Sequence, residues 1–185
     1  VLNGDLVDDG SQQQWDDFLA AHSEVPHDSG KELWTIGNHE MYGKEGSKTY
    51  LDRFLKYSGQ DKPWNEIVVD GVPLISVNTE YYSDVDRGGK EPFQRLGQEQ
   101  LDWLDERLNY WDEKGTPALV FSHPLLPQTV SMSHSAWYQN DFEDLEALSN
   151  VVNKYTNIVW FSAHSHSSLR QNNWWGVRRY DGTGE

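Results

Sequence analysis

Hydrophobic and polar positions along the chain follow two patterns, one helical and one strand-like. In some segments apolar side chains recur every three or four positions, which predicts amphipathic helices. These segments are residues 13–21, 47–57, 96–111 and 142–155. Short apolar runs, which predict strands, occupy residues 33–36, 66–69, 73–77, 118–121 and 158–161, and Val1-Leu2 predicts the last residues of a further strand. Because strands and helices alternate, the pattern favours a layered α/β domain.

Local turn and capping signals mark several ends of these segments. Ser47 stands where a helix N-cap is expected, and Gly115 follows the last apolar position of the helix over 96–111 as a stop. Asp70 and Gly71 separate two apolar runs, which predicts a two-residue β-hairpin turn. These signals support the order of elements that the periodicity indicates.

The composition narrows the class of protein. The chain has 185 residues, the size of one domain, and 15 Lys and Arg against 30 Asp and Glu give a formal net charge of −15. A field this negative opposes binding to nucleic acid or to anionic membranes, and no apolar stretch is long enough for a membrane span. The absence of cysteine excludes disulfides, thiolate zinc sites and thiol nucleophiles. Neither the acidic charge nor the absence of cysteine decides between the cytoplasm and the cell exterior, so the localisation stays open.

Polar side chains directly follow several of the predicted strands. Each group contains Asp, Asn, Glu or His, whose oxygen and imidazole nitrogen atoms bind Mn, Fe, Zn or Mg. The groups are Asn3-Gly4-Asp5-Leu6-Val7-Asp8, Gly37-Asn38-His39-Glu40, Ser122-His123-Pro124 and Ser162-Ala163-His164-Ser165-His166. In open α/β sheets ligands bind beyond the carboxyl ends of the strands. We therefore expect the groups to converge on one pocket able to hold metal.

Each group also has an ordinary structural explanation when it is taken alone. Asp5 fits a turn position, and a single histidine such as His123 is more often structural than metal-binding. The joint occurrence of the groups, in this order and each at a strand end, favours the metal site. The remaining histidines, His22, His27 and His134, have no such placement, and we predict that they are solvent-exposed or capping residues.

The groups together resemble the ordered signature of the calcineurin-like metallophosphoesterases. The resemblance spans residues 4–166, and the segment Leu96-Gly97-Gln98-Glu99-Gln100-Leu101-Asp102-Trp103-Leu104 is similar to the helix that precedes the lone-histidine strand of this family. Four motifs in the same order are far more specific than any one of them. The resemblance implies an α/β fold, a four-layer α/β/β/α sandwich of two mixed sheets, with a dinuclear metal site at one edge.

The resemblance also implies two divalent metal ions, Mn, Fe or Zn, and assigns their ligands residue by residue. Asp5 corresponds to the carboxylate that bridges both ions. Asn38, His123 and His164 correspond to the other protein ligands of the second ion, and His166 corresponds to a ligand of the first. Two such ions clamp a phosphate ester and lower the pKa of a bound water, which then attacks the phosphorus.

Further residues are implied in the reaction itself. His39 corresponds to the general acid, or the transition-state stabiliser, at the leaving oxygen. Asp8 and Glu40 are candidates to orient His39 or the metal ligands. The implied function is hydrolysis of a phosphoric ester, either a monoester or a diester, in a small molecule or a protein.

The sequence departs from the family pattern at two places. The opening Asp-x-His motif of the family, which belongs to the strand before the one that ends at Leu2, is absent. We therefore expect residues 1–185 to be a single metallophosphoesterase domain that is truncated at both ends. Ala163 stands where the family has glycine before the His-x-His pair, and its methyl group requires a common φ value, so a slight shift of this loop is expected.

A non-catalytic, aromatic-rich ligand-binding protein on the same scaffold is the alternative function. Aromatic pairs would then act as stacking platforms, although we favour packing in the core or at its rim for them. The pairs are Tyr81-Tyr82, Trp137-Tyr138 and Trp174-Trp175. A nuclease conflicts with the acidic charge and the lack of a basic patch. The long polar segments 80–95 and 125–138 are expected to overhang the site, and the substrate and the oligomeric state stay open.

Overall fold

Two β-sheets organise the part of the chain that the structure describes. The computed structural model describes residues 1–78, 84–88, 94–136, 138, 141–168 and 170. The first sheet pairs β1 (Leu2–Asn3) with β2 (Trp34–Thr35) in parallel. The second sheet has the order β3-β4-β5-β6. Its strands are β3 (Asn65–Val69), β4 (Val72–Ser76), β5 (Ala118–Phe121) and β6 (Ile158–Phe161).

Helices connect these strands and pack beside them. They are α1 (Gln12–Ser23), α2 (Ser47–Ser58), α3 (Asp84–Arg87), α4 (Gln98–Glu113) and α5 (Leu145–Val152). The prediction that Ser47 is an N-cap is wrong by one residue. Gly46, with an extended backbone, is the N-cap, and Ser47 is the first helical residue.

Two helices begin later than the sequence pattern indicates. α4 begins at Gln98 because the residue before it, Gly97, has φ +80°, which lies outside the helical region. α5 begins at Leu145. The preceding Asp144 uses its carboxylate to accept hydrogen bonds from the backbone N–H groups of Leu96 and Gly97, at 3.0 and 2.9 Å, and does not continue a helix.

The second sheet is mixed. β3 and β4 form the predicted antiparallel hairpin, with Val69 opposite Val72. Asp70 and Gly71 form its turn with φ values of 51° and 84°, the left-handed conformation that this type of two-residue turn requires. β4, β5 and β6 run parallel, with α4 and α5 as the crossovers. The carboxyl ends of these three strands therefore lie at one edge of the sheet.

Each sheet packs against its own hydrophobic cluster. Beside the first sheet, the rings of Trp15 from α1 and Trp34 from β2 stack with their centroids 6.4 Å apart, and Phe54 of α2 belongs to the same cluster. The second cluster joins α4 and α5 to β4 and β5, and Leu104 and Leu148 are fully buried in it. The apolar stripes predicted for the helices are thus their buried faces.

Polar side chains join the two sheets near the carboxyl ends of their strands. Asn3, the last residue of β1, donates from Nδ2 to the carbonyl oxygens of Ser122 and Phe161 at 3.4 and 3.5 Å. Asn78, two residues after β4, accepts through Oδ1 from the backbone N–H of Ile36 at 2.6 Å. The loops that follow these strands are thereby brought into one region.

The α/β fold with two sheets and flanking helices is confirmed. Along the described ranges, no helix combines the length and the apolar character needed to cross a membrane. The assignment of residues 1–185 to a single domain stays a prediction.

Candidate metal centre

Glycines allow the loops after β1 and β2 to approach closely. Gly4 has φ +77°, and a Cβ at this position would lie only 2.5 Å from His123 Nδ1. A Cβ on Gly37 would overlap the Asp5 carboxylate. Real Cβ atoms do not approach other atoms so closely, and a larger residue at either position would push the loops apart.

Glu40 connects the same two loops through their backbones. Its buried carboxylate accepts hydrogen bonds from the N–H groups of Asp5 at 3.0 Å, Leu6 at 2.5 Å and Gly37 at 2.5 Å. Burial and the neighbouring charge of Asp5 raise the pKa of Glu40, whereas the backbone hydrogen bonds act in the opposite direction. The sequence left open whether Glu40 orients His39 or the metal ligands. These hydrogen bonds fit a role in orienting the metal ligand Asp5, and not His39.

Asp5, His123 and His164 bring three potential metal-binding atoms together. These atoms all lie within 4.8 Å of one another, and His123 Nε2 is 3.1 Å from Asp5 Oδ2. The ring centroids of His123 and His164 are 5.1 Å apart. The three residues follow β1, β5 and β6 respectively. The structure therefore places these predicted ligands in one cluster drawn from both sheets.

Buried acceptor atoms in this region fit a bound cation. His123 donates from Nδ1 to the carbonyl oxygen of Asn3 at 2.8 Å, so its neutral ring carries the lone pair on Nε2. Asn38 donates from Nδ2 to the Tyr42 hydroxyl at 2.8 Å. Within the described ranges, neither His123 Nε2 nor Asn38 Oδ1 has a well-aligned hydrogen-bond partner, although both are buried. Burial of unpaired acceptors is costly, and an oxygen and imidazole donor set suits Mn, Fe or Zn, so these residues fit a divalent metal.

Neighbouring charges adjust the protonation of the cluster. Burial acts to raise the pKa of Asp5, but contact with His123 outweighs it and holds the pKa of this carboxyl below its ordinary value. Burial acts to lower the pKa of His123, but the Asp5 carboxylate outweighs it and raises the pKa. Burial and the neighbouring His123 lower the pKa of His164 to about 4. Near pH 7 Asp5 is therefore ionised and His164 is neutral, the states in which these groups bind metal, whereas a metal ion has to compete with a proton for His123.

His39 lies next to this cluster at the wall of a cavity. Its Nδ1 donates to the backbone carbonyl of Asp8 at 2.7 Å, whereas the Asp8 carboxylate is 3.7 Å away and 87% exposed. The backbone N–H of His39 donates to Asp5 Oδ1 at 3.0 Å. The ring is thus oriented by the backbone of Asp8. The cavity has a volume of about 400 Å³ and is lined by residues 5–8, by Gln14, Asp17 and Phe18 of α1, and by His39 and His166.

Several site residues hold an unusual backbone conformation. Asp5, His164 and His166 have φ values of 54°, 60° and 52°, in the left-handed region that non-glycine residues rarely adopt. Such conformations cost about 1–3 kcal/mol each and persist mainly at functional sites. Ala163 lies outside the left-handed region, and its N–H donates to the His123 carbonyl at 2.9 Å, so the alanine is accommodated with an ordinary φ.

An acidic residue that the sequence does not reveal adjoins the site. Asp141 is almost completely buried, and its Oδ2 lies 3.7 Å from His164 Nε2. Asp141 belongs to no sequence motif. It reaches His164 only because the chain before α5 folds back toward the site. Tyr138, from a segment that was expected to overhang the site, has its ring centroid 5.0 Å from that of His164.

Other predicted features lie outside the described residues. These are the aromatic side chains of Tyr81, Tyr82, Trp137, Trp174 and Trp175. The stacking platforms of the alternative function therefore stay predictions. From the other long segment, 80–95, the described Asp86 accepts a hydrogen bond from the backbone N–H of Ser47 at 2.5 Å, at the start of α2.

Comparisons with known proteins show the family and the fold of the chain. The family model described as calcineurin-like phosphoesterase matches residues 1–168. Among solved structures, the fold is similar to that of a dimetal phosphatase from Danio rerio, with a TM-score of 0.58 and 20% sequence identity. The similarity covers 88% of this chain and 65% of that protein, so the chain spans less than two thirds of its length. No curated protein sequence matches the chain.

Proposed function

The chain belongs to the calcineurin-like phosphoesterase family, and on this premise we propose that it is a metal-dependent hydrolase of phosphoric esters with a dinuclear metal site. The observation that carries the proposal is the cluster of Asp5, His123 and His164, whose ligand atoms lie within 4.8 Å of one another. The buried acceptor atoms of Asn38 and His123 support a bound cation at the same place.

Two ions would be held by five of the predicted residues. Asp5 would be shared between the ions, Asn38, His123 and His164 would complete one of them, and His166 would bind the other. When bound, two divalent ions, Mn, Fe or Zn, neutralise the charge of the phosphate and lower the pKa of a water molecule. The name of the similar Danio rerio protein, a dimetal phosphatase, supports the proposal of two ions.

His39 would give a proton to the leaving oxygen of the ester. Its Nδ1 is committed to the Asp8 carbonyl, so Nε2 is the atom that exchanges protons with the substrate. The ring packs against Tyr42 with centroids 4.8 Å apart, and its backbone N–H is bonded to Asp5. These contacts hold the imidazole beside the metal ligands, where a leaving group would lie.

The adjoining cavity suits a substrate with a modest organic group. Its volume of about 400 Å³ is in the range of small-molecule sites. Phe18 supplies an apolar wall, and Gln14 and Asp17 on the same helix supply polar groups. We therefore propose a phosphoester of a small molecule, or a phosphorylated protein side chain, and both a monoester and a diester are to be tested.

Hydrolysis assays on the full-length protein test the proposed function. p-Nitrophenyl phosphate serves as the monoester and bis(p-nitrophenyl) phosphate as the diester, each with added Mn²⁺ or Zn²⁺. We expect metal-dependent turnover that Asp5→Asn abolishes. Asp9→Asn is the matched control, because it makes the same charge change in the same loop. The Asp9 carboxylate accepts a hydrogen bond from the Ser11 N–H and is not a proposed metal ligand, so activity should remain. Metal binding without hydrolysis of either ester would instead support the ligand-binding alternative.

A further inference from the structure

A second group of metal-binding side chains meets at the carboxyl end of α1. His22 lies in the last turn of α1, His27 in the segment that follows, and Glu32 just before β2. The Nε2 atoms of His22 and His27 lie 3.0 and 3.9 Å from Glu32 Oε1, and all three ligand atoms are within 4.8 Å of one another. His27 is exposed, as predicted from the sequence, and His22 is half-buried; beyond that prediction, the two histidines share one carboxylate.

Protein groups orient the ligand atoms of this cluster. His27 donates from Nδ1 to the carbonyl oxygen of Val25 at 2.5 Å, so its neutral ring carries the lone pair on Nε2. The second oxygen of Glu32, Oε2, accepts a hydrogen bond from Trp34 Nε1 at 3.1 Å, which leaves Oε1 directed at the histidines. Hydrogen bonds of this kind, on the far side of the ligand, orient the ligands of protein-bound metals.

His22 donates from Nε2 to Glu32 Oε1 at 3.0 Å, whereas the contact between His27 and Glu32 sets two acceptor atoms against one another. The lone pair of neutral His27 Nε2 and the carboxylate oxygen of Glu32 face each other at 3.9 Å, which is repulsive unless a cation lies between them. The rings of His22 and His27 are 4.2 Å apart between centroids, so the two imidazoles lie side by side at this carboxylate.

We propose that His22, His27 and Glu32 form a site for a divalent transition-metal ion of the zinc class, separate from the site at Asp5. Tetrahedral zinc with bonds of about 2.0–2.1 Å places its ligand atoms about 3.3 Å apart. The observed distances of 3.0 and 3.9 Å are close to this value. Two imidazoles and one carboxylate are a common zinc donor set, with a fourth position for water.

The ion would fasten the end of α1 to the segment that enters β2. α1 also supplies Gln14, Asp17 and Phe18 to the cavity beside the first site, and the ring of Phe18 stacks on His22 with centroids 5.5 Å apart. The second ion would therefore hold one wall of this cavity in place. Its binding does not depend on the proposed hydrolysis.

Zinc titration of the full-length protein tests the second site. Histidine ¹⁵N NMR, recorded in an Asp5→Asn background that weakens the first site, should show zinc-dependent shifts at the Nε2 atoms of His22 and His27. His27→Gln and Glu32→Gln should each lower the zinc affinity of this site by at least about tenfold. The matched controls are Asp28→Asn, which makes the same charge change at a 65% exposed carboxylate, and His134→Gln, which removes a histidine elsewhere. Both controls should keep the wild-type affinity.

Two results would overturn the second site. One is unchanged His22 and His27 resonances at saturating zinc; the other is equal zinc affinity in His27→Gln and His134→Gln. Glu32→Gln keeps one side-chain oxygen that can accept from Trp34 and replaces the other by an NH2 group. Circular dichroism checks its fold, and His27→Gln decides the question if that fold is lost. Ester hydrolysis is measured separately, so a missing activity and a missing second site are distinguishable.

Discussion

Gly37 leaves the space that the Asp5 carboxylate fills. Because a Cβ at this position would overlap Asp5 Oδ1, we predict that Gly37→Ala displaces the Asp5 side chain. Changes to groups behind metal ligands already cost about 10–100-fold in affinity. Displacement of the ligand itself should therefore weaken Mn²⁺ binding by more than about tenfold, as measured by isothermal titration calorimetry.

Gly59 provides the matched control for this prediction. It has φ +69° at the end of α2, and a Cβ added there would meet nothing within 4 Å, so alanine strains the backbone without a clash. Gly59→Ala should lower the free energy of unfolding by about 1–2 kcal/mol and leave Mn²⁺ affinity unchanged. Wild-type Mn²⁺ affinity in Gly37→Ala would show that the loop adapts and that the prediction is wrong.

His39 is predicted to act in the chemical step and not in metal binding. Its Nδ1 is bonded to the Asp8 carbonyl, and Nε2 is available to the substrate. We expect His39→Ala to lower kcat by about 10²–10⁴-fold, the usual contribution of general acid–base catalysis. Metal per molecule, measured by plasma emission, should stay at the wild-type level.

Asp8→Ala separates the backbone of Asp8 from its side chain. The backbone carbonyl holds His39, and the carboxylate is 87% exposed, so this variant should change kcat only slightly. A large loss of kcat in Asp8→Ala would show that the carboxylate itself orients His39. A parallel loss of metal and activity in His39→Ala would contradict the role given to that histidine.

Some residues of the candidate metal centre could be predicted from the sequence, and others could not. Asp5, His123 and His164 could be predicted because each is a ligand type directly after a strand, and parallel strands end at one edge. Glu40 is a candidate from the sequence, but its bonds to three backbone N–H groups depend on the approach of two loops. Asp141 follows no strand and belongs to no motif, so only the folded chain brings it to His164.

At the scale of elements, hydrogen bonds fasten α4 to the chain after α5. Asp105 on α4 accepts from the Tyr155 hydroxyl at 2.6 Å and from Lys154 Nζ at 2.5 Å. Burial acts to raise the pKa of Asp105, but these hydrogen bonds outweigh it and hold the pKa below its ordinary value. The ionised carboxylate is therefore more favourable in the folded chain than in the unfolded one.

Asp105→Asn should lower stability in a pH-dependent manner. Because the folded pKa is depressed, the contribution is present above the unfolded pKa of about 3.9 and is lost as the pH falls through the folded value. We expect a loss of about 1 kcal/mol in the free energy of unfolding at pH 7, which shrinks between pH 5 and pH 3. Urea denaturation at each pH measures it.

Asp102 on the same helix is the control for Asp105. Its carboxylate is exposed and, within the described part of the chain, accepts only from Gln98 one turn earlier, so Asp102→Asn should change stability by less than about 0.5 kcal/mol. An Asp105→Asn effect that stays constant from pH 7 to pH 3 would contradict the role of ionisation.

The elements themselves could largely be predicted, because their apolar periodicity is what buries them. Leu101, Leu104 and Leu108 recur on one face of α4, and all are buried. The helix starts could not be predicted as well. Asp144 bonds the N–H groups before α4 from a distant part of the chain, so both helix starts depend on a tertiary contact.

At the scale of the whole molecule, two hydrophobic clusters are joined at a polar seam. One cluster lies beside each sheet, and the hydrogen bonds of Asn3 and Asn78 cross between the sheets near the strand ends. The proposed metal ligands lie in this seam, since Asp5 follows a strand of the first sheet and His123 and His164 follow strands of the second. A bound ion would therefore add links between the two halves, and its positive charge would offset part of the net charge of −15.

Removal of metal should consequently destabilise the molecule as a whole. At a metal concentration one hundred times its Kd, binding adds about 2.7 kcal/mol to the free energy of unfolding. For a chain of this size that corresponds to about 5–10 °C in Tm. We expect excess Mn²⁺ to raise Tm by this amount relative to EDTA in the wild type and in His39→Ala, which keeps every ligand, but not in Asp5→Asn. Glu32→Gln should retain the shift, because Glu32 belongs to the second site at the end of α1, away from the ligands in the seam. If Asp5→Asn kept the full shift, the stabilising ion would have to bind away from the seam.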